Sequence, residues 1–336
     1  MVHMKSTAGR HAFTSIFHGG NRLPRPQSQF TLASSGFHRK ILPSRPMKLA
    51  LPANGPFGAL SRRRALCLLA AGTAGAFADA LWLEPGLLWV IRHDVACRNL
   101  PSGLEGLRVG VLADFHFRPD QDEALVEKAV ARVNAEDLDL LALAGDYVTH
   151  SGEVLAPLLK ILERVKTRHG VFAVMGNHDG WHPGRDFVRR SFEKAGIPFL
   201  INQNSQLRIK GDTLAVAGTD FVWLGKPDPA ATLKGIAPAT PVLALVHEPD
   251  YFDVMSSQRE IQLQVSGHTH GGQCRVPLVG YAPVKVDYGR KYIKGSYARG
   301  GSNLFVTSGV GTVGLRVRFA CPPELAVLTL RGVPAA

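Results

Sequence analysis

Leu107-Arg108-Val109-Gly110-Val111-Leu112-Ala113-Asp114-Phe115-His116 is a short apolar run that ends in two side chains able to ligate a metal. Residues 122–133 follow it with Ala124, Leu125, Ala129, Val130 and Val133 at helical spacing and acids at the start. Strand, loop and helix make one βα unit, and the unit recurs. Residues 138–144 lead into Gly145-Asp146 and then a helical pattern over 154–165 on Leu155, Leu158, Leu159 and Leu162. Residues 171–175 lead into Gly176-Asn177-His178-Asp179 and a helical pattern over 187–195. Continuous apolar strands alternating with amphipathic helices predict a sheet covered on both faces.

Beyond residue 197 the helical patterns thin out. Strand patterns lie over 206–210, 213–218, 242–246, 261–265, 303–307 and 324–330, with helix only near 229–233 and 251–255. The expected fold is therefore α/β: two mixed β-sheets packed face to face with helices outside, the carboxyl ends of their strands sharing one site. The second half supplies its own ligands there, His247 after one strand and Gly267-His268-Thr269-His270-Gly271-Gly272-Gln273 after the next.

A single His-x-His or a single Asp after a strand carries little information. Five clusters, each just past an apolar run, place their side chains where open α/β sheets build their sites. Gly145, Gly176 and Gly267 are expected to provide the sharp turns that aim those side chains inward. Imidazole nitrogen with Asp and Asn oxygen, and no thiolate, suits divalent Mn, Fe, Zn, Co or Ni. Asp114, His116, Asp146, Asn177, His247, His268 and His270 are more groups than one catalytic ion uses, so two ions sharing a bridging carboxylate are expected. Such ions lie about 3.5–4 Å apart, activate a shared water and clamp the attacking and leaving oxygens of an in-line displacement.

The order Asp-x-His, Gly-Asp, Gly-Asn-His-Asp, His, Gly-His-x-His over residues 108–273 resembles the calcineurin-like metallophosphoesterase superfamily. Gly271-Gly272-Gln273, Ser308-Gly309-Val310-Gly311, Arg318 and Pro322-Pro323-Glu324 extend the likeness toward an exported bacterial phosphodiesterase branch. The resemblance implies a four-layer sandwich, a first metal on Asp114, His116 and His270, and a second on Asn177, His247 and His268. It further implies Asp146 as the bridge and His178 as the catalytic histidine, acting on the transition state or the leaving oxygen. The implied reaction is phosphate-ester hydrolysis by a metal-bound hydroxide attacking in line. Asp179 completes the motif, with orientation of His178 as its hypothesised task. Ala113, where Ser is common, is the one departure and changes no ligand.

The formal charge of +12 is concentrated at the start of the chain. Residues 1–64 hold eleven Lys and Arg and no Asp or Glu, which leaves about +1 for the remainder. A nearly neutral catalytic part argues against nucleic acid as the partner. Residues 1–46, rich in Ser, Pro, Gly and Arg without periodicity, read as a disordered or untranslated leader, with Met47 as an alternative start. Residues 47–80 have the parts of a twin-arginine-type export signal: Ser61-Arg62-Arg63-Arg64, an apolar run over 65–78 and a small-residue exit. That run is short for a membrane span, which takes about 20 apolar residues. Residues 81–104, with Trp82, Pro85 and Trp89, read as a linker and edge strand rather than an interfacial segment, and residues 105–332 as the catalytic domain. Periplasmic or cell-envelope location follows, with anchoring if the signal stays attached.

Cys67, Cys97, Cys274 and Cys321 lack Cys-x-x-Cys spacing, which excludes a zinc-finger or thioredoxin-like site. His150 and His182 are read as loop histidines. Lys285, Arg290, Lys291 and Lys294, interleaved with Tyr281, Tyr288 and Tyr292, are read as a solvated charged loop rather than a headgroup site. The leading expectation is a phosphodiesterase with a phosphate-ester substrate. Alternatives are a phosphomonoesterase, a pyrophosphatase of the UDP-diacylglucosamine type, or a non-catalytic envelope-binding protein.

Overall fold

The computed structural model describes residues 61–334 apart from residue 284. The leader expected over 1–46 and the alternative start at Met47 lie outside the described residues. In chain order the elements are α1 (Arg62–Ala78), β1 (Trp89–Arg98), β2 (Arg108–Leu112), α2 (Pro119–Ala135), β3 (Leu140–Leu143), α3 (Leu155–Leu162), β4 (Val171–Val174), α4 (Asn177–Asp179) and α5 (Arg185–Lys194). They continue with β5 (Phe199–Leu200), β6 (Gln203–Ile209), β7 (Asp212–Gly218), α6 (Pro229–Leu233), β8 (Val242–Leu245), α7 (Phe252–Gln258), β9 (Leu263–Ser266), β10 (Gly295–Arg299), β11 (Ser302–Val306) and β12 (Glu324–Val333).

Two six-stranded sheets result, in the orders β1-β12-β2-β3-β4-β5 and β10-β11-β9-β8-β7-β6. Both are mixed, as expected. The run β2, β3, β4, β5 is parallel and β12 joins it antiparallel; β11, β9, β8, β7 are parallel, with antiparallel β10 and β6 at the two edges. The continuous apolar runs lie in the centre of each sheet because both faces there are covered. Between the sheets Val109, Val111, Leu140, Val174, Leu214, Val216, Leu243 and Val265 interdigitate. The outer face of the first sheet is covered by Leu125, Val130, Leu158 and Phe192 from α2, α3 and α5, and that of the second by Met255 of α7. Helix α2 starts where Pro119 fixes the first turn and Asp120 and Asp122 face its positive end.

The N-terminal helix differs from the expectation. The apolar run does not stop at residue 78, because α1 continues through one wide turn (Asp79–Leu83) and one tight turn (Glu84–Gly86). The whole stretch, Arg62–Gly86, is long and apolar enough to cross a membrane by length and composition. Pro85 sits in the final turn and ends the helix instead of breaking it. None of the residues of α1 is buried, whereas Ala80, Glu84 and Pro85 are part of the folded body. The Glu84 carboxylate accepts the Ala320 N–H at 2.8 Å and the Cys321 N–H, and Arg318 N–H donates to the Ala80 carbonyl at 3.0 Å. Residues 81–86, expected as a linker, therefore form a docked helix end, followed by the expected edge strand, β1.

Candidate metal centre

Every candidate ligand sits just past the carboxyl end of a parallel strand: Asp114 and His116 after β2, Asp146 after β3, Asn177 and His178 after β4, His247 after β8, and His268 and His270 after β9. Three groups of donors converge there, with ligand atoms within 4.8 Å of one another: Asp114, His116 and His270; His116, Asp146 and His178; Asp146, His247 and His268. Asp114, His116, Asp146, Asn177, His247, His268 and His270 are all buried, and His178 is half-buried on the rim.

The turns that aim them are made mainly by the ligands themselves. Asp114, His116, Asp146, His268 and His270 have φ of 55°, 40°, 56°, 71° and 51°, the left-handed region that costs a non-glycine residue about 1–2 kcal/mol. The expectation that three glycines provide these turns holds only for Gly145, at φ 93°. Gly176 and Gly267 are needed for space. A Cβ on Gly267 would stand 2.7 Å from Ala113 Cβ and 2.8 Å from Asp114 Oδ2, and one on Gly176 would overlap the Asp146 carboxylate.

Outer hydrogen bonds fix which ring nitrogen faces inward. His247 Nδ1 lies 2.6 Å from the Ala144 carbonyl and His268 Nε2 lies 2.7 Å from the Asp287 carbonyl, so each donates outward and presents its other nitrogen to the cluster. His116 Nδ1 is 3.2 Å from Thr149 Oγ1, while its Nε2 is 3.1 Å from His270 Nε2. One oxygen of Asp146, Oδ2, is 3.5 Å from His116 Nε2 and 3.1 Å from His247 Nε2, the latter without hydrogen-bond geometry. Asp114 Oδ2, Asn177 Oδ1, His247 Nε2 and His270 Nδ1 are buried and have no hydrogen-bond partner. Orphaned donors of this kind, oxygen and imidazole nitrogen together, fit divalent cations.

Burial holds the imidazoles of His116 and His268 neutral, lowering their pKa values to about 3 and about 4, and lowers His270 as well. Neutral imidazole is the ligating form. Burial raises Asp114 to about 7, with the Asp146 charge adding to it. Burial also opposes the charge on Asp146 and the imidazolium on His247, but their mutual attraction outweighs it and lowers the first while raising the second.

Asp179 does not reach the His178 ring, contrary to the hypothesised orienting task. Its carboxylate accepts the backbone N–H groups of Gly176, Asp146, Tyr147 and Val148 at 2.8–3.2 Å, so it locks the loop that carries Asp146. His178 is placed instead by its backbone, whose N–H donates to Asp146 Oδ1 at 2.9 Å, and by Nδ1 lying 3.3 Å from the Thr149 carbonyl. Its ring meets His116 edge-on at 4.8 Å between centroids. Thr149 and the Asp287 carbonyl are the contributors that sequence reasoning missed. Backbone acceptors leave no trace in residue type, and only the closeness of Thr149 to Asp146 hinted at a role.

A cleft of about 540 Å³ opens beside His178, walled by Phe117, Arg118, His150, Thr312 and Val313. His150 belongs to it and His182 does not line it. A larger groove of about 820 Å³ around Asn99, Pro229 and Arg259 contains none of the converging residues. The basic loop is largely paired with carboxylates: Arg290 with Asp287 of the loop at 2.7 Å, Lys291 with Asp253 of α7 at 2.6 Å and Lys294 with Glu324 of β12 at 3.2 Å.

A two-sheet sandwich with His, Asp and Asn donors gathered at its strand ends is the architecture of the calcineurin-like phosphoesterases, whose family pattern this chain matches over residues 107–272. The chain belongs to that family, and is a hydrolase of phosphoric ester bonds. It is 33% identical to the phosphodiesterase YaeI of Escherichia coli (strain K12) over 289 residues, covering 81% of this chain and 99% of that one. It is 29% identical over 284 residues to the metallophosphoesterase YkuE of Bacillus subtilis (strain 168), covering 82% and 95%. Among solved structures, the 5'-nucleotidase precursor of Thermus thermophilus matches at 14% identity and a TM-score of 0.42, covering 67% of this chain and 54% of that one.

Proposed function

We propose that the chain is a phosphodiesterase working with two divalent ions, one held by Asp114, His116 and His270, the other by Asn177, His247 and His268, with Asp146 shared. The observation that carries this is the position of Asp146 Oδ2, 3.5 Å from a nitrogen of one group and 3.1 Å from a nitrogen of the other. When bound, such a pair of ions supplies an activated water and neutralises phosphoryl charge. The chain's own residues do the rest. Asp179 keeps the Asp146 loop rigid, and the outward hydrogen bonds of His247 and His268 aim their other ring nitrogens at the centre.

His178 stands at the join between the centre and the cleft. With Nδ1 against a carbonyl, its other ring nitrogen faces away from that bond and, when the ring carries its second proton, can stabilise an equatorial phosphoryl oxygen or protonate the leaving oxygen. The charge of the cleft favours a diester. Its one full cation, Arg118, is already bonded to Asp122 at 2.8 Å, which suits a substrate with one negative charge better than a monoester with two. The name of YaeI supports the same reading.

We further propose export with the helix retained. Arg62, Arg63 and Arg64 stand at one end of the apolar stretch and the catalytic body at the other, the charge asymmetry that keeps the basic end cytoplasmic.

Hydrolysis of bis(p-nitrophenyl) phosphate, compared with p-nitrophenyl phosphate, tests the activity. Diester turnover should dominate, and His178→Ala should lower it by about 10²–10⁴-fold with metal content unchanged. Preferred monoester turnover, or a fully active His178→Ala protein, would overturn the assignment. Two bound metals with neither ester cleaved would favour the pyrophosphatase or the envelope-binding alternative.

A further inference from the structure

Several exposed apolar side chains of the body fall in one loop and beside one groove. Residues 276–281 form a tight loop, closed by Val276 N–H to Tyr281 O at 2.8 Å, with Leu278 fully exposed at its tip and Val279 77% exposed. It grows out of Cys274, which bridges to Phe319. These two residues form, with Phe77 and Leu81 of the N-terminal helix and with Leu315, a wholly apolar groove of about 430 Å³. Leu315 is itself 79% exposed.

The groove and the catalytic cleft have a wall in common. Thr312, Val313 and Gly314 line the cleft beside His178, and the next residue, Leu315, lines the groove. That wall is held by the strand end that carries His270. Gln273 donates Nε2–H to the Val313 carbonyl at 3.2 Å and accepts the Val313 N–H at 3.0 Å. The helix beside the groove is fixed to the same body through Glu84 and Ala80.

We infer that this face is seated in a lipid bilayer, and that the substrate is a phosphodiester lipid whose acyl chain lies along the groove while its phosphate enters the cleft. The inference rests on the phosphodiesterase reading for the substrate, but not for the seating. A bilayer is the occupant the observations favour over a second copy. The helix exposes Leu66 and Phe77 and, on the opposite face, Leu68, and the stretch Arg62–Gly86 is long and apolar enough to cross a membrane by length and composition. A dimer contact would call for one apolar stripe, whereas lipid meets a helix on all sides. The groove lies at the end of that helix where it meets the body, and the 276–281 loop leaves it at Cys274; interfacial side chains there partition into the headgroup region, each leucine worth about tenfold or more.

The test uses the full chain in vesicles of phosphatidylcholine and phosphatidylglycerol, with Cys67→Ser and Cys274→Ser so that a polarity-sensitive dye reports only position 278 after Leu278→Cys, or position 193 after Glu193→Cys as reference. The dye at 278 should shift to the blue on reconstitution and the reference should not. In parallel, Leu278→Asp/Val279→Asp should lower the ratio of phosphatidylglycerol turnover in vesicles to bis(p-nitrophenyl) phosphate turnover by about tenfold or more. An unshifted dye, or an unchanged ratio, overturns the proposal. So does a blue shift that follows protein concentration in detergent without vesicles, which marks a second copy on this face. Cleavage of the soluble diester with no lipid cleaved overturns the lipid substrate and leaves the phosphodiesterase standing. A shifted dye with neither ester cleaved overturns the phosphodiesterase and the lipid substrate together.

Discussion

Asp146 is held at more points than its neighbours. Its N–H is bonded to Asp179, its Oδ1 accepts from His178, and its Oδ2 faces His116 and His247. Around it, burial leaves His116 and His268 neutral at pH 7 but raises Asp114 to about 7 and Asp179 to about 8. Ligand protonation therefore competes with metal. In chelated protein these two carboxyls bind more protons folded than unfolded, while the buried His116, His268 and His270 bind fewer until the unfolded histidines lose theirs near about pH 6.5, so stability falls with rising pH only from about pH 6.5 to pH 8. His247, raised by Asp146, acts in the same direction. Thermal unfolding of chelated protein should accordingly give a higher midpoint at about pH 6.5 than at pH 8, and saturating metal should raise the pH 8 value most. A chelated protein that gains stability from about pH 6.5 to pH 8 would contradict the burial of these groups.

At the scale of elements, the close approach of turns matters more than their conformational freedom. Gly267→Ala would press a methyl group against Ala113 and Asp114 across the two sheets. It should cost about 1–3 kcal/mol of stability and weaken metal retention, read by thermal unfolding with and without metal. An unaltered melting temperature would show that the loops can separate. The strands that carry ligands were legible in the sequence because central parallel strands are continuous apolar runs, and each ligand follows within a few residues. The edges were not. β5 has two residues, and β10, Gly-Ser-Tyr-Ala-Arg, is largely exposed and shows no apolar alternation. The left-handed backbone at five ligands was equally hidden, since Asp and His rather than Gly adopt it. Helix α1 was read as too short because a scan of apolar residues stops at Asp79, while the chain simply adds another turn.

For the molecule as a whole, the charge of the sequence and the shape of the fold separate the same two parts. The basic excess lies ahead of the exposed helix, and a nearly neutral catalytic body lies after it. Full-length protein should remain with membranes through washes in high salt and alkaline carbonate, because burial of apolar helix surface is insensitive to screening. Release by salt alone would contradict helix retention. Seven candidate ligands gathered from both sheets would make a loaded centre a clasp across the two halves, so metal loading should tighten the whole sandwich.

The paired centre is tested most directly by metal stoichiometry, measured by mass spectrometry on protein dialysed against limiting manganese or zinc, for the native chain and for Asp146→Asn. The expected result is two ions per native chain and fewer than one in the variant, with diester turnover lowered by about a thousandfold, the equivalent of several kcal/mol of lost charge stabilisation. One ion in the native chain, or two ions and full turnover in Asp146→Asn, would contradict the shared-carboxylate site.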